Sequence, residues 1–278
     1  MDHSLRYDVN CSILFTELPL LERPAAAAEA GFSAIEFWWP FDEAVPDGAS
    51  VDAFVSAVRD AGVALVGLNF AAGDMPGGDR GLVSWPARSV EFRESVSVLV
   101  EIGEQLGCAS FNALYGNRVE DVPSVQQDEL ALTNLAFAAS EVDRIGGTVL
   151  VEPVSGAPRY PLLTAADALA VIDNVRAESG VTNLGLLADL YHLAVNGDDV
   201  DAVIAAYADR IAHVQIADDP GRNEPGTGEL PLDRQLTALE TAAYTGWVGL
   251  EYKPSTTTLD SLEWLPRDRR TAAADVTH

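Results

Sequence analysis

The chain has 278 residues, of which 48% are hydrophobic and 22% are charged, and its formal net charge is −26. A balance of 17 Lys and Arg against 43 Asp and Glu argues against nucleic acid or an anionic membrane as partner, because either would need a basic face. No apolar run approaches the roughly 20 residues that cross a bilayer, and the N-terminal segment does not read as a secretion signal. We therefore expect a cytoplasmic protein.

Apolar runs of strand length recur along the chain and alternate with amphipathic runs of helix length. Such near-continuous apolar strands are typical of a parallel sheet covered on both faces. The predicted strands are, in order, about Tyr7 to Cys11, AIEFWW from Ala34, ALVGLNF ending at Phe70, SFNALYG from Ser110, TVLVEPV, LGLLADLYH, HVQIAD and WVGLEYKP.

Each predicted strand is followed by a predicted helix, and the helix ends carry the expected residues. Thr164 and Asp199 stand where a side-chain oxygen would cap a helix N-terminus. Glycines follow several of the helical runs, where a left-handed residue often ends a helix; they are Gly31, Gly62, Gly107, Gly146 and Gly246.

Eight repeats of strand then helix close most economically into a single (β/α)8 barrel, or TIM barrel. We expect the catalytic barrel to span 1–268 and a flexible tail to span 269–278. An open doubly wound sheet is the alternative, but it would need a glycine-rich phosphate turn after an early strand, and none is present. The long glycine-containing loop 71–86 has the character of a lid.

Polar side chains stand at the predicted carboxyl ends of strands two to eight, which is where barrel enzymes place their active sites. They are Glu36, Asn69, Asn112, Glu152, Asp189, Gln215 and Glu251. Three carboxylates converging on one barrel mouth would repel one another, and a divalent cation would neutralise most of that charge. All-oxygen ligation by Glu152, Asp189, Gln215 and Glu251 favours Mg²⁺ or Mn²⁺ over Zn²⁺. Pairing with arginine inside the barrel is the structural alternative.

Further residues near the mouth are candidates for substrate contacts. A bound acid would need local positive charge against the −26 background, and Lys253 is the only lysine in the chain. The set is Asn69, His192, Arg222, Glu224 and Lys253. His213, placed at the start of strand seven, is interpreted as structural. Trp38 and Trp39 belong either to the core or to the wall of the pocket.

The chain resembles the hydroxypyruvate isomerase family, part of the xylose isomerase-like barrel superfamily, over nearly all of residues 1–268. The segments that carry the resemblance include LFTELPLLERPAAAAEAGFSAIEFWWPFD, VLVEPVSG, ADLYH, HVQIADDPGRNEPGTGEL and GWVGLEYKPSTTTLDSL. The resemblance implies that Glu152, Asp189, Gln215 and Glu251 are the metal ligands, and that Glu152 and Glu251 are also the proton donor and acceptor.

The activity implied by the resemblance is the interconversion of hydroxypyruvate and 2-hydroxy-3-oxopropanoate (tartronate semialdehyde) through an enediolate. The partner is then a small hydroxy-keto acid of carbohydrate acid metabolism. A homo-oligomer is a further expectation, because family members often form dimers or larger assemblies.

The alternatives on the same scaffold are a 2-oxo-tetronate isomerase and a ketose 3-epimerase. Gln215 counts against the epimerase, since related epimerases usually have histidine there. A metal-dependent nuclease would want several histidine ligands and a basic groove. A non-catalytic barrel that binds sugar acids is a further alternative, but it would not need all four ligand positions. The segments SGAPRYPLL and WPARSVEF depart from the family pattern and leave the exact substrate open.

Overall fold

The computed structural model describes residues 3–271, and its central element is a closed barrel of eight parallel strands. Each strand pairs with its neighbours in sequence order, and the first pairs with the last through Asp8 and Gly249. The single (β/α)8 barrel predicted from the sequence is therefore confirmed. The strands are β1 Arg6–Asn10, β2 Ala34–Phe37, β3 Ala64–Asn69, β4 Ser110–Asn112, β5 Thr148–Val151, β6 Leu184–Asp189, β7 Ile211–Ile216 and β8 Trp247–Leu250.

Helices connect successive strands and surround the barrel, so that they cover the outer face of the sheet while strand side chains fill its interior. They are α1 Arg23–Glu29, α2 Gly48–Ala61, α3 Ser89–Leu106, α4 Ser124–Asp143, α5 Ala165–Ser179, α6 Leu190–Val195, α7 Val200–Tyr207, α8 Leu232–Thr241 and α9 Thr258–Ser261. Between residues 3 and 271, none of the helices combines the length and apolar character that spanning a bilayer requires.

Predicted caps mark one end of four of these helices. Thr164 caps α5 in a reciprocal pair with Asp167, and the Asp199 carboxylate caps α7. Gly62 and Gly107 end α2 and α3 in the left-handed conformation.

Gly246 was expected to end a helix, and the structure corrects this. It is Ala243, with φ of 63°, that takes the left-handed conformation after α8. Gly246 is instead needed for space, because a Cβ at this position would lie 2.3 Å from the Tyr244 hydroxyl.

The C-terminal segment makes defined contacts on both sides of residue 268, the predicted boundary of the barrel. Arg267–Arg269 forms a short 3₁₀ helix, Arg269 donates to the carbonyl oxygen of His3, and Arg270 donates to those of Ala30, Leu262 and Leu265. The packed part of the chain therefore continues to at least Arg270. The rest of the predicted tail, 272–278, lies outside the described residues.

The apolar core lies mainly between the barrel and its helices, whereas the barrel interior becomes polar towards the mouth. Strand residues on the outer face, such as Ile35, Phe111 and Val214, are fully buried against the helices. Inside the barrel, Asp8, Glu36 and His213 are buried one layer below the strand ends. This arrangement places a polar, enclosed platform directly beneath the candidate site.

Candidate active site

The carboxyl ends of the strands bring the four predicted ligand residues to one mouth of the barrel. Asp189 ends β6, and Gln215 lies beside it in register on β7. Glu152 follows β5 directly, and Glu251 follows β8 directly. All four side chains are buried, with exposed fractions of 0 to 4%. These four residues are far apart in sequence, but they lie close together because parallel strands end at the same edge of the barrel.

A cavity of about 840 Å³ opens above these residues. Glu152, Glu251, His192 and Arg222 contribute to its wall. Trp38 and Trp39 also line it and at the same time pack against the apolar core. The cavity wall also includes Asn69, Lys253 and the beginning of the 71–86 loop.

Arg222 supplies the positive charge closest to the carboxylates. Its guanidinium forms a very short ion pair with Glu251 Oε1 and lies 3.5 Å from Asp189 Oδ2. The loop that carries Arg222 is held against the segment after β8, because the backbone N–H of Lys253 donates to the Arg222 carbonyl oxygen at 2.7 Å. The alternative of arginine pairing is thus present in part, and it involves a residue that also faces the cavity.

The two glutamates differ in their hydrogen bonds. Glu251 Oε2 accepts from Gln215 Nε2 at 2.7 Å, from Asn10 Nδ2 at 2.9 Å and from Trp38 Nε1 at 3.2 Å. Glu152 Oε2 accepts from Asn112 Nδ2 at 2.7 Å. Glu251 is therefore held by several donors, while Glu152 is held at one oxygen.

Burial and mutual repulsion shift the protonation of both glutamates. Burial, followed by the charges of Glu251 and Asp189, raises the pKa of Glu152 well above its usual value. Burial also raises the pKa of Glu251 to about 7, although Arg222 acts in the opposite direction. Both carboxyl groups therefore keep their protons to a higher pH than an exposed glutamate does.

His192 presents a neutral imidazole to the same mouth. The backbone N–H of Ser155 donates to Nδ1 at 3.1 Å, so Nδ1 is an acceptor and the ring proton is on Nε2. Nε2 lies 3.5 Å from Asp189 Oδ2 and 3.9 Å from Glu152 Oε1. Burial lowers the pKa of His192 to about 4, although Asp189 opposes that shift. His192 is therefore a fixed hydrogen-bond donor at neutral pH.

The donor atoms at the mouth fit an oxygen-ligated divalent cation. Asp189 Oδ2 and Gln215 Oε1 are buried atoms to which the described residues offer no hydrogen bond. Such atoms are costly to bury unless a cation or another partner satisfies them. Potential ligand atoms of Glu152, Asp189 and His192 also lie within 4.8 Å of one another. Carboxylate and amide oxygens are the ligands that Mg²⁺ and Mn²⁺ prefer.

Glu224 is the one predicted substrate contact that the structure places away from the cavity wall. Its carboxylate accepts from the backbone N–H of Ser255 at 3.0 Å and forms a very short hydrogen bond with the Ser255 hydroxyl. It therefore joins the loop after β7, which carries Arg222, to the loop after β8.

Some residues around the site went unrecognised in the sequence. Asn10 ends β1 and donates to Glu251, so the strand-end rule applied to the first strand would have found it. Asp218 accepts four backbone N–H groups within its loop and thereby shapes the turn around Arg222. Asp8 also went unrecognised, and only its position on the inward face of β1 could have indicated that it lies inside the barrel. Burial, together with the charge of Glu36, raises the pKa of Asp8 well above its usual value.

His213 was expected at the end of the barrel opposite the site, and this placement is wrong. It is the third residue of β7 and points into the barrel, where Nε2 lies 2.7 Å from Glu36 Oε2. Burial acts to lower the pKa of His213, but the charge and hydrogen bond of Glu36 outweigh it and raise that pKa. The strand begins two residues before His213, at Ile211. Ile211 pairs with Leu186 of β6, and Ala212 packs beside Gly185 of the same strand.

Comparison with known proteins gives this geometry a family. The family model described as "Xylose isomerase-like TIM barrel" matches residues 24–268. The chain belongs to this family. Within it, the chain groups with hydroxypyruvate isomerases, and it is an enzyme of the isomerase class.

The relatives of this xylose isomerase-like barrel match it along nearly the whole chain. A Streptomyces coelicolor protein named "Putative hydroxypyruvate isomerase" is 54% identical over 96% of this chain and 98% of its own length. The Escherichia coli "Hydroxypyruvate isomerase" is 35% identical, covering 94% and 98%. The "2-oxo-tetronate isomerase" of Cupriavidus necator is 34% identical, covering 94% of this chain and 97% of its own length.

A solved structure with the same barrel comes from Brucella melitensis, and its name is that of an AP endonuclease of family 2. It superposes with a TM-score of 0.84 at 32% identity, covering 94% of this chain and 97% of that one. The barrel and its connections are thus shared along nearly the full length of both proteins.

Proposed function

We propose that this xylose isomerase-like barrel is a divalent-metal-dependent isomerase that interconverts hydroxypyruvate and 2-hydroxy-3-oxopropanoate. The observation that carries the proposal is the convergence of four oxygen-bearing side chains on the mouth, with Asp189 Oδ2 and Gln215 Oε1 buried and without hydrogen bonds from the described residues. The hydroxypyruvate isomerases among its relatives support the substrate class.

The reaction moves one C–H proton between neighbouring carbons. A proton leaves the hydroxymethyl carbon of hydroxypyruvate and the resulting enediolate takes a proton on the former carbonyl carbon, while the hydroxyl proton passes to the other oxygen. Glu152 and Glu251 are the proposed acceptor and donor, because both carboxyl groups border the cavity, on strands three positions apart in the circle of eight.

Glu152, Asp189, Gln215 and Glu251 would hold the cation, which is Mg²⁺ or Mn²⁺ in this proposal. A bound divalent ion at this mouth would polarise the substrate's carbonyl and hydroxyl oxygens and so favour loss of the C–H proton. The residues present supply only oxygen donors at these four positions, which supports a hard cation.

Substrate binding is assigned to the polar groups that surround the carboxylates. Arg222 and Lys253 bring positive charge to the wall of the cavity in a chain whose net charge is −26. The Nε2–H of His192 is directed to the same mouth and would donate to a substrate oxygen. Asn69 lies on the wall nearer β3 and offers a further hydrogen bond. Glu224 would act indirectly, through the loop that carries Arg222.

The second candidate is the isomerisation of a four-carbon acid, 2-oxo-tetronate. A cavity of about 840 Å³ is larger than a three-carbon acid requires, and the Cupriavidus necator relative carries that activity in its name. The ketose 3-epimerase alternative is disfavoured by Gln215, and the nuclease alternative by the net charge of −26.

A substrate panel tests the proposal. Metal-stripped protein, with and without added Mn²⁺ or Mg²⁺, would be incubated with hydroxypyruvate, 2-oxo-tetronate and a ketose, and products followed by NMR. We expect metal-dependent isomerisation of hydroxypyruvate at the highest kcat/KM. A preference for 2-oxo-tetronate would favour the second candidate, and turnover of the ketose alone would contradict both.

A further inference from the structure

Glu36 lies in the barrel interior beneath the site, where its carboxylate is 3% exposed and fully engaged. Its Oε2 is 2.7 Å from His213 Nε2. Its Oε1 accepts from Gln215 Nε2 at 2.7 Å and from Asn10 Nδ2 at 3.0 Å. Glu36 therefore connects an anchoring histidine below to two residues of the mouth above.

Glycines on β3 and β8 provide space for this carboxylate. Gly67 pairs with Glu36 across β2 and β3, after a shift in register that brings the glycine opposite it. A Cβ at Gly249 would lie 2.7 Å from Glu36 Oε1, and one at Gly67 would lie 3.1 Å from Oε2. The absence of side chains at these two positions is what lets Glu36 reach across the barrel towards β7.

The side-chain amide of Gln215 has only one orientation that suits these neighbours. Its nitrogen lies 2.7 Å from Glu36 Oε1 and 2.7 Å from Glu251 Oε2. Ionised carboxylates only accept hydrogen bonds, so the amide nitrogen must face them and the carbonyl oxygen must point elsewhere. That oxygen is buried and without a hydrogen bond from residues 3–271.

Of the two acceptors, Glu36 is the one that stays unchanged during the proposed reaction. Glu251 borders the cavity and is itself a proposed metal ligand, so its oxygens would be shared between Gln215 and the cation. Glu36 does not line the cavity, and His213 holds its other oxygen.

We propose that Glu36, anchored by His213, is a positioning residue that fixes the Gln215 amide with its carbonyl oxygen directed to the cation. This rests on the proposed function, because the orientation matters only if Gln215 is a metal ligand. Partners of this kind set the orientation of metal ligands, and removing one typically lowers metal affinity by about 10- to 100-fold.

The test is a double-mutant cycle on Mn²⁺ binding by the metal-stripped full-length chain, with free Mn²⁺ measured by electron paramagnetic resonance. In Glu36→Gln the new amide can donate to Gln215, so the amide of Gln215 can turn over. We expect Glu36→Gln to weaken binding by about 10- to 100-fold in the native background. In the Gln215→Ala background the same change should alter binding by no more than about twofold.

The control is Glu129→Gln, the same chemical change on the exposed face of α4, which should leave Mn²⁺ affinity unaltered. His213→Asn is a second route to the same effect. It keeps the Glu36 charge but removes its anchor, and it should weaken Mn²⁺ binding in the same direction. Circular dichroism of each variant establishes that the barrel has formed.

Two results separate the inference from the proposed function. An equal loss from Glu36→Gln in both backgrounds would mean that its charge alone matters, and would overturn the positioning role while leaving the metal site intact. Failure of the unaltered protein to bind Mn²⁺ would overturn the proposed function and the role of Glu36 together.

Discussion

Asp189 has two separable tasks, and a single substitution distinguishes them. Its Oδ1 caps α6 by accepting from the N–H groups of Tyr191 and His192, while its Oδ2 is the buried atom without a hydrogen bond. Asparagine caps helices about as well as aspartate. Asp189→Asn therefore keeps the cap and removes the charge on the proposed ligand.

The size of the expected effect follows from ligand linkage. At a metal concentration about 100 times Kd, binding adds about 2.7 kcal/mol to the free energy of unfolding. If Asp189→Asn weakens binding about 100-fold, the same concentration adds only about 0.4 kcal/mol. Without metal, the variant should be close to the native protein in stability, because the relieved repulsion with Glu152 and Glu251 offsets the lost attraction to Arg222.

The assay is urea unfolding with EDTA and with Mn²⁺, and Asp199→Asn is the matched control. Asp199 caps α7 in the same way but lies on the exposed surface. We expect Asp199→Asn to retain the full stabilisation by Mn²⁺. The reasoning would be refuted if Asp189→Asn were stabilised by Mn²⁺ as much as the native chain.

Three further predictions concern the glutamates and the loop. Glu251→Gln should lower kcat by about 10²- to 10⁴-fold, measured by isomer formation, while Glu129→Gln on exposed α4 should not. Because burial raises the pKa of Glu251 to about 7, this carboxyl group retains its proton at pH 6 and must lose it on binding a cation. Calorimetry in buffers of different ionisation enthalpy should therefore find more protons released at pH 6 than at pH 8.5, with Mn²⁺ affinity rising with pH. Glu224→Ala should lower the free energy of unfolding by about 1–3 kcal/mol. It should also raise KM, since Arg222 lies on the loop that Glu224 joins to Ser255. An unchanged KM would show that this loop has no part in substrate binding.

The fold could be predicted from the sequence because the signals for it are local. Apolar runs such as LVEP and GLEY, each interrupted by one carboxylate at a strand end, indicate both the strands and the mouth at which they meet. The caps at Thr164 and Asp199 followed from residue type alone. The end of α8 did not, because the left-handed residue there is Ala243 rather than a glycine.

The interior of the barrel was harder to predict because its contacts join residues far apart in sequence. Glu36 and His213 are separated by 177 positions, and a strand buried on both faces has no alternation that would show which residues point inwards. Gly67 and Gly249 likewise read as ordinary strand residues until the Glu36 carboxylate is placed between them. Arg222 was identified by its loop, but its bridge between Glu251 and Asp189 depends on packing that the sequence does not display.

The central claim is that the paired glutamates move a carbon-bound proton with the help of a divalent cation. It is tested most directly by incubating the metal-stripped protein with hydroxypyruvate in D₂O, with and without Mn²⁺, and following deuterium incorporation by NMR. We predict that deuterium is incorporated at the two carbons involved only when Mn²⁺ is present. Formation of 2-hydroxy-3-oxopropanoate should accompany that incorporation. Equal isomerisation and exchange without a divalent metal, or their absence under both conditions, would contradict the account.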